Sequence, residues 1–515
     1  MNTVRQVLEH ATKCYPSSTA IVDGDQRVTY RELGDNVGRM MSVLRNAGVT
    51  EGSRVAVLAQ NSLQFIELWL AVPMVGATLA PLNTRLTSHE LRPIIEEYDP
   101  AILFTDGDLA EARDLVESKT LVQAMGDELA ALVAAEEPSQ PSPNVNEDDV
   151  MSVVYTGGTT GRSKGVMLTH RNRLSDALSM VIATRLTASD VWLNCSPVFH
   201  TSGTFCLLPT FWVGATMVVE NKFDPSLYAD RVHAESVTVG FMVPKMIQDV
   251  LDVLEPNDPR LDTLRFLGHG GAPITEPLLK DACDRLPGLE FASLYGSTEL
   301  APMATLFQHQ ELHSGGGRFA SCGQPVLGVE VRVIDDSGDP VQAREVGEVA
   351  VRGPNLMKGY FRRPDATAEA IVDGFYRTGD LGYLDEDGYL YIADRKKDMI
   401  ISGGENIYSL EIETVIAEFP GVIEVAVFGR PDEVWGEAVC ATIVASEEID
   451  LEALRLLCRE RLAGYKQPRH IEVVATPLPR TPAGKVSKRD LRAAVDARVE
   501  RGAPLTGPTG MARQT

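Results

Sequence analysis

The residues that most constrain this chain are Tyr155-Thr156-Gly157-Gly158-Thr159-Thr160-Gly161-Arg162-Ser163-Lys164-Gly165, set between the β-prone runs Met151-Ser152-Val153-Val154 and Val166-Met167-Leu168. A strand must end, turn through a glycine-rich loop and return as a strand. Four glycines let successive backbone amides turn inward on an anion, because a residue without Cβ accepts the conformations such a cradle needs. Three threonines and a serine add hydroxyl donors, and Lys164 adds a point charge. A polyphosphate requires this combination. The loop is not a Walker A motif, since Ser163 rather than glycine precedes Lys164 and no GxxxxGK[ST] string occurs. A bare flexible hairpin is the alternative, and the density of hydroxyls, glycines and one lysine argues against it.

The rest of the chain supplies an α/β frame for that loop. Arg54-Val55-Ala56-Val57-Leu58 has the pattern of a buried strand, Leu63 to Met74 of a helix, and Ala101-Ile102-Leu103-Phe104-Thr105 of another strand. Strands alternating with helices predict a parallel sheet covered on both faces. At 515 residues the chain exceeds one ordinary core, so two or more domains are expected. The most hydrophobic stretch, 65–79, is broken by Glu67 and Pro73 and is too short to span a bilayer; it predicts a buried helix. Between 323 and 351 the pattern turns to hairpins: Val329-Glu330-Val331-Arg332-Val333-Ile334 alternates, Asp335-Asp336-Ser337-Gly338 makes a turn, and Gly347-Glu348-Val349-Ala350-Val351 follows. A second module begins near Asp394, with helices over 411–418 and 451–462 and strands over 422–428 and 438–444, as in a small α+β domain. From Gly502 the chain is rich in Gly and Pro, and disorder is expected.

Further short motifs have both a chemical and a bland reading. In Tyr295-Gly296-Ser297-Thr298-Glu299 an aromatic face suits a purine, and a carboxylate suits a hard cation such as Mg2+; the same string is also an ordinary turn. Gly268-His269-Gly270-Gly271-Ala272-Pro273 suits a βα loop that needs small residues. In Tyr376-Arg377-Thr378-Gly379-Asp380, at the end of a β-region, the Asp380 carboxylate can accept two sugar hydroxyls. Asp394-Arg395-Lys396-Lys397-Asp398 is by composition a solvated turn. Ser402-Gly403-Gly404-Glu405-Asn406 lets a thin ligand approach backbone, or is a β-turn. Pro479-Arg480-Thr481-Pro482-Ala483-Gly484-Lys485-Val486 holds a lone lysine in a Pro/Gly loop, and Pro197-Val198-Phe199-His200-Thr201 holds a histidine that is structural or catalytic.

The phosphate loop and these motifs, in this order, resemble the adenylate-forming superfamily of acyl-CoA synthetases, carrier-loading adenylation domains and luciferases, over about residues 10 to 492. The family usually has Ser where Gly158 stands and often Pro where Ser163 stands; the first difference removes one hydroxyl donor near the γ-phosphate. The resemblance implies a large N-terminal domain over 1–395, with parallel-type sheets flanked by helices and a β-rich subdomain, a small mobile α+β lid over 396–495, and a tail over 496–515. It implies that Thr156, Gly157, Gly158, Thr159, Thr160, Gly161 and Lys164 cradle ATP phosphates. Gly270, Gly271, Ala272 and Pro273 flank the adenine, and Tyr295 and Gly296 face it. Thr298 contacts phosphate, Glu299 holds Mg2+, Asp380 takes the ribose and Arg395 the ribose or a phosphate. Lys397 is the hinge, Gly403 and Gly404 line the tunnel for the pantetheine arm of coenzyme A, His200 stands beside the carboxylate, and Lys485 is catalytic in adenylation. The implied reaction is a carboxylic acid plus MgATP giving acyl-AMP and pyrophosphate, then transfer of the acyl group to coenzyme A with release of AMP. Loading of an acyl-carrier protein is the alternative, and its mark, an inserted docking segment, is not detected.

Charge and composition narrow the partners. A net charge of −24 repels phosphate backbones, so nucleic acid is an unfavourable partner. Seven scattered cysteines form no CxxC pair, which argues against a zinc site or disulfide framework and predicts a reducing cytoplasmic setting. No signal peptide or membrane span is predicted; dimers are common among the enzymes the chain resembles, which makes a homodimer possible, but nothing in the sequence demonstrates one. In related enzymes the acyl pocket lies among segments like 199–205, 239–243, 268–272 and 295–305. Here those contain Gly203, Gly240, Gly268, Ser297 and Ala301 with Phe199, Phe205, Phe241, Met242 and Met303, and Lys245 is the one cation nearby. Small residues leave volume and large apolar ones make walls, so a fatty, aromatic or polycyclic acid is expected rather than an amino acid.

Overall fold

The computed structural model describes residues 3–156, 163–308, 318–403, 405–432, 434–481 and 485–500. Gly157, Gly158, Thr159, Thr160, Gly161 and Gly404, and the expected tail beyond 500, lie outside the described residues. The chain divides into two compact units: Met1–Ile274 with Lys280–Val331 and Val351–Tyr376, and Thr275–Leu279 with Arg332–Ala350 and Arg377–Thr515.

The first unit holds two sheets. In one, the strands Glu290–Gly296, Phe266–Gly270, Val239–Met242, Val191–Asn194, Thr216–Val219 and Thr19–Asp23 lie side by side and all run parallel. Met303–Gln308 is antiparallel to the first of them, and Gln26–Thr29 to the last. In the other, Val150–Thr156, Thr78–Pro81, Arg54–Leu58, Ile102–Thr105 and Leu121–Ala124 are parallel. Lys164–Thr169 returns antiparallel to Val150–Thr156, and Gly359–Tyr360 adds to its free edge.

Local chemistry explains the elements. Arg54–Leu58 and Leu63–Met74 fall where the apolar runs predict them. The helix Leu63–Met74 starts where the Ser62 hydroxyl accepts from the Phe65 amide at 3.2 Å, and it buries Phe65, Ile66, Leu68, Leu70 and Val72 completely. Each such side chain contributes about 1.5–3 kcal/mol. The helix His170–Thr184 follows the phosphate hairpin directly. Its Thr169 cap and Asn172 form a reciprocal capping box that fixes where the strand ends and the helix begins.

The strand Phe375–Leu384 begins in the first unit and continues from Arg377 in the second, where it pairs antiparallel with Leu390–Arg395. Tyr376 to Asp380 therefore lies within a strand instead of ending one, because Leu381 to Leu384 continue the ladder against Leu390–Asp394. The last part is a sheet of Glu405–Ile407, Ile400–Ser402, Gly436–Ala445, Val422–Asp432 and His470–Val474, carrying the helices Ser409–Ala417 and Leu451–Arg461. Ile400, Ile412, Ile416, Val427, Ile443, Leu454 and Ile471 make its core.

Candidate active site

Parallel strands gather loops at their carboxyl ends, and open α/β sheets bind ligands there. Four adjacent strands of the first unit deliver the predicted residues in this way. Val191–Asn194 leads to His200, Val239–Met242 to Lys245, Phe266–Gly270 to Gly271, Ala272 and Pro273, and Glu290–Gly296 to Thr298 and Glu299. Gly270 pairs in register with Leu294, so the Gly270–Pro273 loop and Tyr295 emerge side by side. A side chain at Gly270 would meet the Leu294 carbonyl, and Gly271 has φ +78°. The loop is thin because its neighbours leave no room for more.

Gly296 stands under a tighter constraint. The register shifts between Tyr295 and Gly296, and an added Cβ would strike the Pro302 carbonyl. Gly296→Ala should move Tyr295 and Glu299 off their positions and lower kcat/KM for ATP by on the order of 10- to 100-fold. Steady-state kinetics beside a circular-dichroism spectrum matching wild type checks this.

Several long-range contacts hold the turn that carries Thr298 and Glu299. The hydroxyls of Thr298 and Thr201 are 3.0 Å apart, tying it to the His200 segment. The Met357 amide donates to the Glu299 carbonyl at 2.8 Å, and the Asn355 amide donates to Leu300 and Met303 carbonyls at 2.9 and 2.7 Å. From the buried face of helix His170–Thr184, Arg173 donates to the Ala301 carbonyl at 3.1 Å, and Asp176 accepts from the Met303 amide at 3.1 Å. Burial pushes the Asp176 carboxyl up to about 8 despite Arg173 beside it. Thr201, Arg173, Asp176 and Asn355 have no role in the sequence reading, and on a helix that also buries His170, Asn172, Ser179 and Thr184 no local pattern sets Arg173 and Asp176 apart.

Glu299 is buried, and the Tyr360 hydroxyl donates to its Oε1 at 2.9 Å. Its Oε2 accepts no hydrogen bond among the described residues. A buried carboxylate with one oxygen left over suits a hard cation, so this residue fits Mg2+. Thr156 and Lys164 are register partners at the neck of the glycine loop. The Lys164 ammonium sits over the Tyr360 ring, 4.8 Å from its centroid, and makes no ion pair among the described residues. A cation resting on a ring face, with no carboxylate against it among the described residues, is placed to meet an anion.

Around the expected acyl pocket, the Phe205 and Phe241 rings pack edge to face at 5.2 Å, and Phe199 and His200 lie 4.8 Å apart. Gly268 faces Phe241 and Leu294, where a Cβ would lie 3.0 Å from the Leu294 Cδ1. Lys245 is ion-paired to Asp249.

The second unit holds the other predicted residues. Asp380 and Arg395 are register partners and form an ion pair at 2.8 Å, with the carboxylate buried and the guanidinium half-exposed. Lys396 pairs with Asp336 and Glu348, while Lys397 beside it is exposed. Gly403 has φ +61° and donates to the Trp435 carbonyl at 2.7 Å; a Cβ there would crowd the indole at 3.0 Å. Lys485 is exposed on a hairpin closed by Thr481 N to Lys485 O at 2.7 Å and Ser487 N to Pro479 O at 2.8 Å.

Comparisons with known proteins identify the family. Residues 8–361 match the AMP-binding enzyme family and 411–485 its C-terminal domain. The chain is 39% identical to a feruloyl-CoA synthase of Amycolatopsis sp., covering 93% of this chain and 96% of that one, and 37% identical to a 2-succinylbenzoate–CoA ligase of Geobacillus sp., covering 93% and 94%. The o-succinylbenzoate CoA synthetase (MenE) of Bacillus subtilis, in complex with the acyl-adenylate intermediate OSB-AMP, superposes with a TM-score of 0.86 at 31% identity over 94% of this chain and 97% of that chain. ATP-bound MatB from Rhodopseudomonas palustris gives 0.87 at 31% over 96% and 99%. With both of its parts matched and its length almost fully covered by such relatives, the chain belongs to the AMP-binding enzymes, the adenylate-forming superfamily.

Proposed function

We propose that this protein joins an aromatic monocarboxylic acid to coenzyme A through an acyl-adenylate, releasing pyrophosphate and then AMP. The observation that carries the nucleotide half is the meeting of Lys164 and Glu299 on Tyr360, an unneutralised ammonium and a carboxylate with a spare oxygen beside a phosphate-type loop. Thr156, Lys164 and the glycine loop take the phosphates, the Gly270–Pro273 loop and Tyr295 take the adenine, and Asp380 with Arg395 takes the ribose. Glu299 would hold Mg2+, which when bound shields polyphosphate charge. The acid's carboxylate attacks the α-phosphorus, the bond to pyrophosphate breaks, and Lys485 offsets the growing negative charge. Rotation of the small domain about Lys397 then withdraws Lys485 and brings the Gly403-Gly404 face toward the adenylate. The thiol attacks the acyl carbon beside His200, and AMP departs.

The acid is read from the pocket walls. Aromatic side chains at 199, 205 and 241 suit an aromatic acyl group, and the pairing of Lys245 with Asp249 leaves that cation spoken for. One acidic group is therefore favoured over two, as in the feruloyl-CoA synthase. A specific observation favours a second reading, a dicarboxylic acid: the Arg85 guanidinium carbon lies 5.9 Å from the Phe199 ring centroid, where it can meet a second carboxylate. No described helix is long and apolar enough to cross a membrane, and seven free thiols support a cytoplasmic setting.

AMP and pyrophosphate should be measured with a hydroxycinnamate, a benzoate, 2-succinylbenzoate and a long-chain fatty acid, with and without coenzyme A. Highest kcat/KM for the hydroxycinnamate or benzoate, with a CoA thioester as product, is expected. Preference for 2-succinylbenzoate establishes the second reading. Pyrophosphate without thioester overturns the coenzyme A assignment, and ADP as product overturns adenylate formation.

A further inference from the structure

We infer that Tyr360 is a positioning residue that holds Lys164 and Glu299 ready for MgATP, an inference resting on the roles proposed for those two residues. The two belong to different segments: Lys164 opens the return strand of the phosphate hairpin, and Glu299 sits in the turn after Glu290–Gly296. Tyr360 is contributed by a third. Its two-residue strand Gly359–Tyr360 adds to the edge of Lys164–Thr169, with Tyr360 opposite Val166. The placement is tightly built. The Tyr360 amide donates to the Thr367 hydroxyl at 2.9 Å, and Gly359 has φ +142° with Thr367 against it. Beyond Tyr360, the Phe361 amide donates to the Gly165 carbonyl at 2.7 Å.

One side chain thus does two things. Its hydroxyl donates to Glu299 Oε1, which fixes the carboxylate plane and leaves Oε2 for a cation. Its ring face supports the Lys164 ammonium. Tyr376 hydrogen-bonds to the Tyr360 hydroxyl. A carboxylate held by a neutral donor keeps its charge, whereas one held by Lys164 would cancel the charges both partners need.

The two functions separate by substitution. Tyr360→Phe keeps the ring and removes the hydroxyl; Tyr360→Leu removes both. Full-length wild type, both variants and Glu299→Gln would be compared by isothermal titration of ATP without metal and by the Mg2+ concentration giving half-maximal pyrophosphate formation, with thermal melts as a folding control. For Tyr360→Phe the half-maximal Mg2+ should rise about tenfold, the worth of a hydrogen bond to a charged group, while metal-free ATP affinity stays within twofold. Tyr360→Leu should show the same rise and also lose about threefold in metal-free ATP affinity. If Glu299→Gln shifts the Mg2+ requirement and Tyr360→Phe does not, the inference about Tyr360 is wrong. If Glu299→Gln leaves the requirement unchanged, the metal reading of Glu299 fails and this inference with it. Equal losses of metal-free ATP affinity in Phe and Leu variants would overturn the ring's part.

Discussion

Lys485→Ala should lower pyrophosphate formation from acid and ATP by about 1,000-fold, while thioester formation from supplied acyl-AMP and coenzyme A stays within about twofold of wild type. The magnitude follows from charge. In adenylation the attacking carboxylate and the α-phosphate gather negative charge in one place, and a fixed cation aimed there contributes about 3–4 kcal/mol that water cannot replace. The asymmetry follows from the proposed rotation of the small domain, which withdraws Lys485 before the thiol attacks. The variant should fold, because the hairpin is closed by backbone bonds (Thr481 to Lys485 and Ser487 to Pro479) that do not use the lysine side chain. Ser487 and Asp490, 2.7 Å apart, cap the helix that follows. Lys485→Arg should recover only part of the activity, since a planar fork does not replace a compact ammonium. Equal loss in both half-reactions would show that Lys485 does not act in adenylation alone.

What could be read in the sequence was local. The run Arg54–Leu58 is apolar without interruption because it lies inside a parallel sheet, and Leu63–Met74 is apolar on all sides because it is a buried helix; both follow from pattern alone. The glycine and hydroxyl residues around Lys164 are contiguous and could be seen at once. Tyr360 could not. It lies 196 positions after Lys164 and 61 after Glu299, and only a two-residue edge strand brings it to both. Arg173 and Asp176 were equally hidden: nothing near 170–184 shows that the helix packs beneath the Ala301–Met303 corner. Residues contiguous with a loop are legible from composition, whereas residues that brace it across the fold are fixed by pairing register, which one sequence does not display.

Glu67→Gln should raise stability at pH 8 by about 3 kcal/mol and flatten its pH dependence. Glu67 is 4% exposed in the middle of helix Leu63–Met74, and among the described residues its carboxylate has one hydrogen-bond partner, the Asn36 amide at 2.8 Å. Burial pushes its carboxyl up from 4.5 to about 7, with Asn36 opposing only in part. The folded chain therefore keeps a proton that the unfolded chain has already lost between these values. The Glu67 contribution is most favourable below pH 4.5, falls as pH rises toward 7, and above that is a constant deficit. At about 1.4 kcal/mol per tenfold, the gap from 4.5 to about 7 corresponds to the 3 kcal/mol predicted. Glutamine has no charge to desolvate, and Asn36 can turn its amide to meet the new one. Other groups titrate too: His170, pushed down to about 4 by burial, costs stability as pH falls below 6.5. They are common to both proteins and cancel in the difference. Urea unfolding of wild type and variant from pH 4 to 9 should give a difference that grows from near zero at pH 4 to a plateau above pH 7, and a flat difference would mean that Glu67 binds its proton equally well in the folded and unfolded chains.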